Sequence, residues 1–326
     1  MELTEAYSHG CSLAPMAGIT DSAFRRLCRE LGADSVVTEM VSATGLARGS
    51  ARSGRLIRFE DRESPIGVQL FGHLPRDFER AAALVSEMGF SFVDVNAGCP
   101  TRKVVRRGSG AALLDDVPLL LDVVEATARG GNLPVTTKIR LGSDPDRPVP
   151  ESLPTDLARS GCRAIAVHGR YVSNGFAGPV DHNGIARLAR ISPVPVLANG
   201  DSTGTEAVKR LILLSGASGV LLGRGAARNP WIFRELSEAG KGRPGPGELR
   251  RLARRQMRMM SEYMPERRML LKLRGYLARY LRGFPGASGL RSLAVAVCSR
   301  KDVERVLDLA EERIHCPETE AVCGRR

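Results

Sequence analysis

From Ser12 to Trp231 the chain alternates short apolar runs with longer stretches of helical period. Leu13-Ala14-Pro15-Met16-Ala17-Gly18 opens the series. Asp21 then predicts a helix start, with Phe24, Leu27, Cys28 and Leu31 on one face. Further strand patterns fall at Ser35–Met40, Pro65–Gly72, Phe92 onward, Pro134–Arg140, Ala164–Arg170, Pro195–Gly200 and Gly219–Gly225. Between them, Arg76–Met88 carries Phe78, Ala81, Ala82 and Val85 on one side, and Leu113–Ala128 reads as another helix. The strands are almost continuously apolar, as in parallel sheets covered on both faces. Eight strand–helix pairs in about 220 residues predict an α/β fold, a (β/α)8 TIM barrel, rather than an open sheet. No Gly-x-Gly-x-x-Gly opens the first unit, which argues against a dinucleotide-type sheet.

The pattern changes after the barrel. Ala239–Gly247 (AGKGRPGPG) reads as a linker, and only helical periods follow it. The expected domains are therefore a catalytic barrel over 1–238 and an all-helical C-terminal domain over 239–326. Within Arg267–Phe284, Met269, Leu273, Leu277, Tyr280 and Phe284 share one face and are expected in the core. Arg268, Lys272, Tyr276 and Arg279 fall on another face, where bases interleaved with an aromatic suit an RNA backbone and a stacked base. Pro317–Arg326 reads as a tail.

Charge supports this division. Of the 326 residues 43% are apolar, ample for a core, and the net charge is +12. From Ala239 onward there are 20 Lys and Arg against 10 Asp and Glu, or +10, which leaves only +2 for the first 238 residues. Basicity confined to one segment points to a polyanion partner beside a near-neutral body. No run approaches the ~20 apolar residues that span a bilayer. The opening MELTEAYSHG lacks the build of a secretory leader. A soluble cytoplasmic protein without a membrane partner is expected. The seven cysteines include no CxxC, so neither disulfides nor zinc is expected, and Cys298, Cys316 and Cys323 fit no metal spacing.

Candidate chemistry centres on Phe92–Val105, FVDVNAGCPTRKVV. A strand ends, Gly98 and Pro100 force a turn, and Cys99 is displayed between them. Lys103, Arg106 and Arg107 follow, and cations near a thiol favour its ionised form. Met16, Gln69, Asn96, Lys138, His168 and Asn199 also lie near the C-terminal ends of strands, the rim where barrel enzymes hold their active sites. An inward lysine and histidine cost several kcal/mol unless paired, so this set calls for a ligand. Asn199-Gly200-Asp201 and Gly223-Arg224-Gly225-Ala226 offer glycines and a cation for a phosphate after strands seven and eight. Lys138 suits a delocalised anion such as a reduced flavin ring, or else pairs with an acid such as Glu39. Gln69 suits the pyrimidine edge of such a ring. Flavin mononucleotide (FMN) across the mouth accommodates all of these.

These runs resemble the tRNA-dihydrouridine synthases. The similarity rests on LAPMAGITDSAFRRL, VQLFG, VDVNAGCPTRKVVRRGSGAALL, VTTKIRLG, VHGR, ANGD and GVLLGRGAARNPWIF, in that order across the barrel. LRGYLARYLRGFPGASGLR, from Leu273 to Arg291, is similar to the helical run of the bacterial B-type branch. The resemblance implies an FMN barrel that reduces one uridine of tRNA to 5,6-dihydrouridine, with NADPH as the reductant. It implies hydride transfer from the flavin to C6 and protonation of C5 by Cys99. It places Pro15, Met16, Ala17, Gln69, Lys138, Asn199, Gly200, Asp201, Gly223 and Arg224 around FMN, and Asn96 and His168 at the substrate or flavin edge. Tyr171 follows VHGR where the family usually has Thr. Asp181-His182 stands for a later Asp-Trp, and Gly275-Tyr276 for a common Lys-His. These departures touch RNA selection rather than flavin or thiol. A monomer is expected. The competing readings are an FMN barrel acting on a small pyrimidine or enone, which would not need the basic segment, and a non-catalytic RNA-binding barrel, which would not need Cys99, Lys138 and His168 together.

Overall fold

The computed structural model describes residues 10–237, 245–282 and 287–315. They form two compact units, Met1–Arg224 and Gly225–Arg326.

Unit one is a closed parallel barrel. Its staves are β1 (Cys11–Leu13), β2 (Val36–Val37), β3 (Ile66–Phe71), β4 (Phe92–Ala97), β5 (Val135–Arg140), β6 (Cys162–His168), β7 (Val196–Asn199) and β8 (Gly219–Leu222). Each pairs with its sequence neighbour, and β8 closes on β1. Val41–Ser42 adds a second short segment beside β3. The outer helices are α1 (Ser22–Glu30), α2 (Pro75–Ser86), α3 (Val117–Arg129), α4 (Leu153–Arg159), α5 (His182–Ile191) and α6 (Thr205–Ser215). Asp21 caps α1 by accepting from the Phe24 amide at 3.1 Å, as its position before the apolar face predicts. The third helix starts later than its apolar pattern suggests. Asp116 caps it through the Leu119 amide, and Gly110–Leu114 form a separate 3-10 turn.

Alternation along the staves sets what fills the barrel. Ala14, Val37, Phe92, Ala164, Ala166, Leu197 and Leu221 make one buried cluster. Two residues further along the same face of their staves stand Asp94, His168 and Asn199. An apolar plug thus gives way to a polar ring towards the C-terminal rim. Among the described residues no helix is long and apolar enough to cross a membrane.

Unit two contains α7 (Ile232–Ser237), α8 (Pro246–Ser261), α9 (Glu266–Tyr280), α10 (Ala287–Ala296) and α11 (Arg300–His315). The expected boundary at 238 shifts to 224. The reason is packing: the Trp231 ring lies 6.3 Å from that of Tyr280, and Arg234 pairs with Glu248 at 2.9 Å, so the residues after Arg224 belong with the helices. Met269, Leu273, Leu277 and Tyr280 are buried as expected. Tyr276 corrects the sequence reading. It is 2% exposed, stacks on Tyr280 at 6.0 Å and cannot offer its ring to a base. Its apolar ring gains more from the helical core than a basic face could return. Arg268 is exposed, while Lys272 and Arg279 are half-buried. Phe284, most of the linker, the tail, Cys316 and Cys323 lie outside the described residues.

Candidate active site

Strand register brings the rim residues together. Asn96 on β4 stands opposite Lys138 on β5, Arg140 opposite His168, and His168 opposite Asn199. Lys138 Nζ donates to Asn199 Oδ1 at 3.1 Å, and Asn199 Nδ2 donates to the Leu221 carbonyl at 2.6 Å. The lysine therefore meets an amide, fixed in turn by the backbone. Burial is the main cause that lowers the Lys138 pKa from 10.5 to about 8, and Arg140 adds to it. Asp94 and Cys99 pull the other way. Arg140 is lowered to about 10, by burial first and then by Arg170, again with Cys99 opposing.

The thiol loop is held from both sides. Asn96 Oδ1 accepts from the Gly98 amide at 3.3 Å and the Cys99 amide at 3.0 Å. Arg140 Nε donates to the Gly98 carbonyl at 2.9 Å, and the Ala111 amide to the Cys99 carbonyl at 3.1 Å. The Cys99 thiol donates to Thr101 Oγ1 at 3.3 Å. Asn96 is itself oriented, because its Nδ2 donates to Gln69 Oε1 at 2.8 Å. Gln69 Nε2 donates to Asp94 Oδ2 at 2.7 Å, and Thr136 Oγ1 to Asp94 Oδ1 at 2.7 Å. Gln69 thus belongs to a buried chain that positions Asn96. Burial raises the Asp94 pKa, with the hydrogen bonds from Thr136 and Gln69 opposing.

The mouth is strongly electropositive. The His168 pKa falls far below its usual value, through burial and then Lys138, Arg140, Arg170 and Arg224 in turn, so the ring is neutral at physiological pH. Asp201 lies between two of these cations: Arg170 pairs with Oδ2 and Arg224 with Oδ1, the latter at 2.9 Å. Asp201 is the one non-glycine residue of positive φ among the described residues, at 35°. A cost of about 1–3 kcal/mol is typical for such a backbone, and it concentrates at functional sites. Gly200 before it has φ 147°, and a Cβ there would lie 2.6 Å from Val180 Cγ2, so only glycine fits. Met16 sits on the β1 turn, its amide donating to Thr20 Oγ1 at 3.0 Å, and Gly223 faces its sulfur. Pro15 is half-buried and Ala17 exposed on the same turn.

Three comparisons bear on this arrangement. Residues 12–315 match the family model described as Dihydrouridine synthase (Dus). The chain belongs to the dihydrouridine synthase family. A protein of Aquifex aeolicus named probable tRNA-dihydrouridine synthase is 33% identical over 305 residues, covering 92% of this chain and 96% of that one. The tRNA-dihydrouridine synthase B of Pseudomonas syringae pv. tomato is 35% identical over 291 residues, covering 87% and 86%. A solved morphinone reductase mutant in complex with tetrahydroNAD superposes with a TM-score of 0.50 at 14% identity, over 73% of this chain and 89% of that one. This last match shows likeness of fold alone.

Three members of this synthase's mouth escaped the sequence reading. Arg140 stands two residues beyond Lys138 on β5, so period-two alternation puts it on the same face. Arg170 lies past the end of β6, where its amide turns back to the His168 carbonyl at 2.7 Å, a turn that alternation does not encode. Phe176 carried no such signal. It lies in the loop after β6, 60% exposed, with the guanidinium of Arg140 5.3 Å and that of Arg224 5.5 Å from its ring centroid.

Proposed function

We propose that this chain reduces a uridine of tRNA to 5,6-dihydrouridine, with FMN as cofactor and NADPH as reductant. Family membership supports the reaction class. The observation that carries the reading is the strand register that sets Asn96, whose Oδ1 accepts from the Cys99 amide, opposite Lys138 at a mouth where four cations press on one histidine. These residues fit a flavin: Lys138 and the arginines suit its anionic parts, and Gly200 gives it close backbone approach. When bound, the flavin supplies the hydride that adds to C6 of the uracil.

The residues do the rest. The charge left at C5 must be quenched by a proton, and the Cys99 thiol is the group in place to give it. Thr101 accepts from the thiol and is itself exposed, so the proton can be replaced from water. Lys138 and Asn199 would hold the negative part of the bound ring system, and His168 would offer a hydrogen bond without adding charge. Asn96 fixes the backbone that carries the thiol by accepting from the Gly98 and Cys99 amides. The uracil reaches this depth only if it leaves its stack. Arg268, Lys272 and Arg279 on α9 contact the RNA backbone, and Tyr276 serves their helix from within.

The test is turnover. The purified protein should be yellow and consume NADPH with unmodified tRNA far faster than with free uridine. Equal rates on both would transfer the reading to a small-pyrimidine reductase, and a colourless protein that takes up no FMN would remove the enzyme reading.

A further inference from the structure

One charged feature of the barrel takes no part in that chemistry. Directly after Cys99, the short helix Arg102–Val105 and the turn behind it carry Arg102, Lys103, Arg106 and Arg107. All four side chains are exposed, and none has an ion-pair or side-chain hydrogen-bond partner among the described residues. Arg106 stands one helical turn after Arg102, its amide bonded to the Arg102 carbonyl at 3.0 Å, and Lys103 and Arg107 follow each of them directly in the chain. Val104 is buried on the other face and anchors the turn. Like charges at that spacing repel, so the arrangement is locally unfavourable as it stands. A local rule broken in this way marks a surface that waits for a partner.

The backbone around these cations is fixed. Val104 and Val105 donate to the Thr101 carbonyl at 2.8 and 3.0 Å, Arg106 to Arg102 at 3.0 Å and Arg107 to Val104 at 3.1 Å. The Ala111 amide closes the loop on the Cys99 carbonyl at 3.1 Å. Gly110, at φ 63°, lets the closing 3-10 turn pass, since a Cβ there would lie 3.0 Å from the Cys99 carbonyl and 2.8 Å from Val104 Cγ1. The four cations and the thiol therefore ride on one closed loop, and whatever the cations bind is positioned relative to the sulfur.

The geometry points to this loop as a phosphate clamp: Arg102, Lys103, Arg106 and Arg107 grip the phosphodiester backbone flanking the extruded uridine and so set that nucleotide against Cys99. The inference rests on the tRNA reading given above. Four exposed cations spread over more than one turn suit successive phosphates of a strand better than a single compact phosphate group. It also gives the near-neutral barrel its own grip on RNA, apart from the basic helical unit.

The experiment measures affinity for unmodified tRNA across a KCl series, for the wild-type chain and for a variant with Arg102→Gln, Lys103→Gln, Arg106→Gln and Arg107→Gln. Each lost phosphate contact makes the log–log salt slope shallower by about 0.7–0.9, so the variant's slope should fall by about 3. A second variant, Arg102→Lys with Arg106→Lys and Arg107→Lys, keeps the charge and should keep the wild-type slope. An unchanged slope in the glutamine variant overturns the clamp. So does an unchanged slope accompanied by a raised KM for NADPH, which would assign the cations to the reductant's phosphates. Wild-type protein that forms no dihydrouridine in tRNA would instead overturn the proposed function, whatever the slopes.

Discussion

Replacing Lys138 by methionine should stabilise the protein at neutral pH while abolishing most of its activity. The lysine's pKa drops from 10.5 to about 8. At about 1.36 kcal/mol for each tenfold change, holding its charge in the fold costs about 3 kcal/mol. That cost is fully present where the amine is charged in both states, below about pH 8. It shrinks as pH rises and is gone above 10.5, where the amine is neutral folded or unfolded. Lys138→Met removes this cost and also the bond to Asn199 Oδ1, which is worth about 1 kcal/mol. The variant should therefore gain about 2 kcal/mol at pH 7 and lose about 1 kcal/mol near pH 10.5. Urea unfolding of the flavin-stripped protein, followed by far-UV circular dichroism, measures both. The two stability curves should cross with pH. A methionine variant less stable than wild type at pH 7, or a difference that does not change with pH, would refute the claim that the mouth stores the cost of an unneutralised lysine for an anionic ligand. Such storage is a known trade between stability and activity at working sites.

Three further outcomes follow from the same structure. Cys99→Ala should still bind tRNA and flavin but lose about 10²- to 10⁴-fold in single-turnover formation of dihydrouridine, the usual contribution of a positioned acid; a wild-type rate would remove the thiol from the chemistry. Gly110→Ala meets both a positive φ and close atoms of Val104 and Cys99, so it should cost about 1–3 kcal/mol in thermal unfolding and change the rate at which Cys99 reacts with a thiol reagent. Glu63→Ala strands the buried Arg25 guanidinium, which lies 2.6 Å from the carboxylate, and should cost about 3–5 kcal/mol in urea unfolding, while Arg25→Met with Glu63→Leu should recover most of it.

The barrel was legible because its staves are short, apolar and regularly spaced, and because turn residues punctuate them. Cys99, Lys138, His168 and Asn199 were legible because each polar residue interrupts an apolar run just where a strand should end. The partners of Gln69 were not visible: its amide bonds Asp94 and Asn96, a pairing set by strand register that no local pattern encodes. The charge surplus of the helical unit was countable, yet its distribution was not. Arg250 and Arg254 on α8 are paired with Asp308, Glu311 and Glu304 on α11, so part of that positive charge is already neutralised at a seam. Tyr276 failed for a related reason. Helical spacing gives an angle around the axis, but a broad buried face admits a residue that a narrow one would exclude.

The interleaving of plug and ring on single staves also works as a proofreader. On β6, Ala164 and Ala166 fill the interior and His168 follows on the same face, while Thr136, Lys138 and Arg140 alternate in the same way along β5. A slip of one residue in β5 would turn Thr137 and Ile139 inward and send Lys138 to the helix-covered side, where its charge would meet only hydrocarbon. A misthreaded barrel is thus penalised by the same polar groups that line the mouth of a correct one.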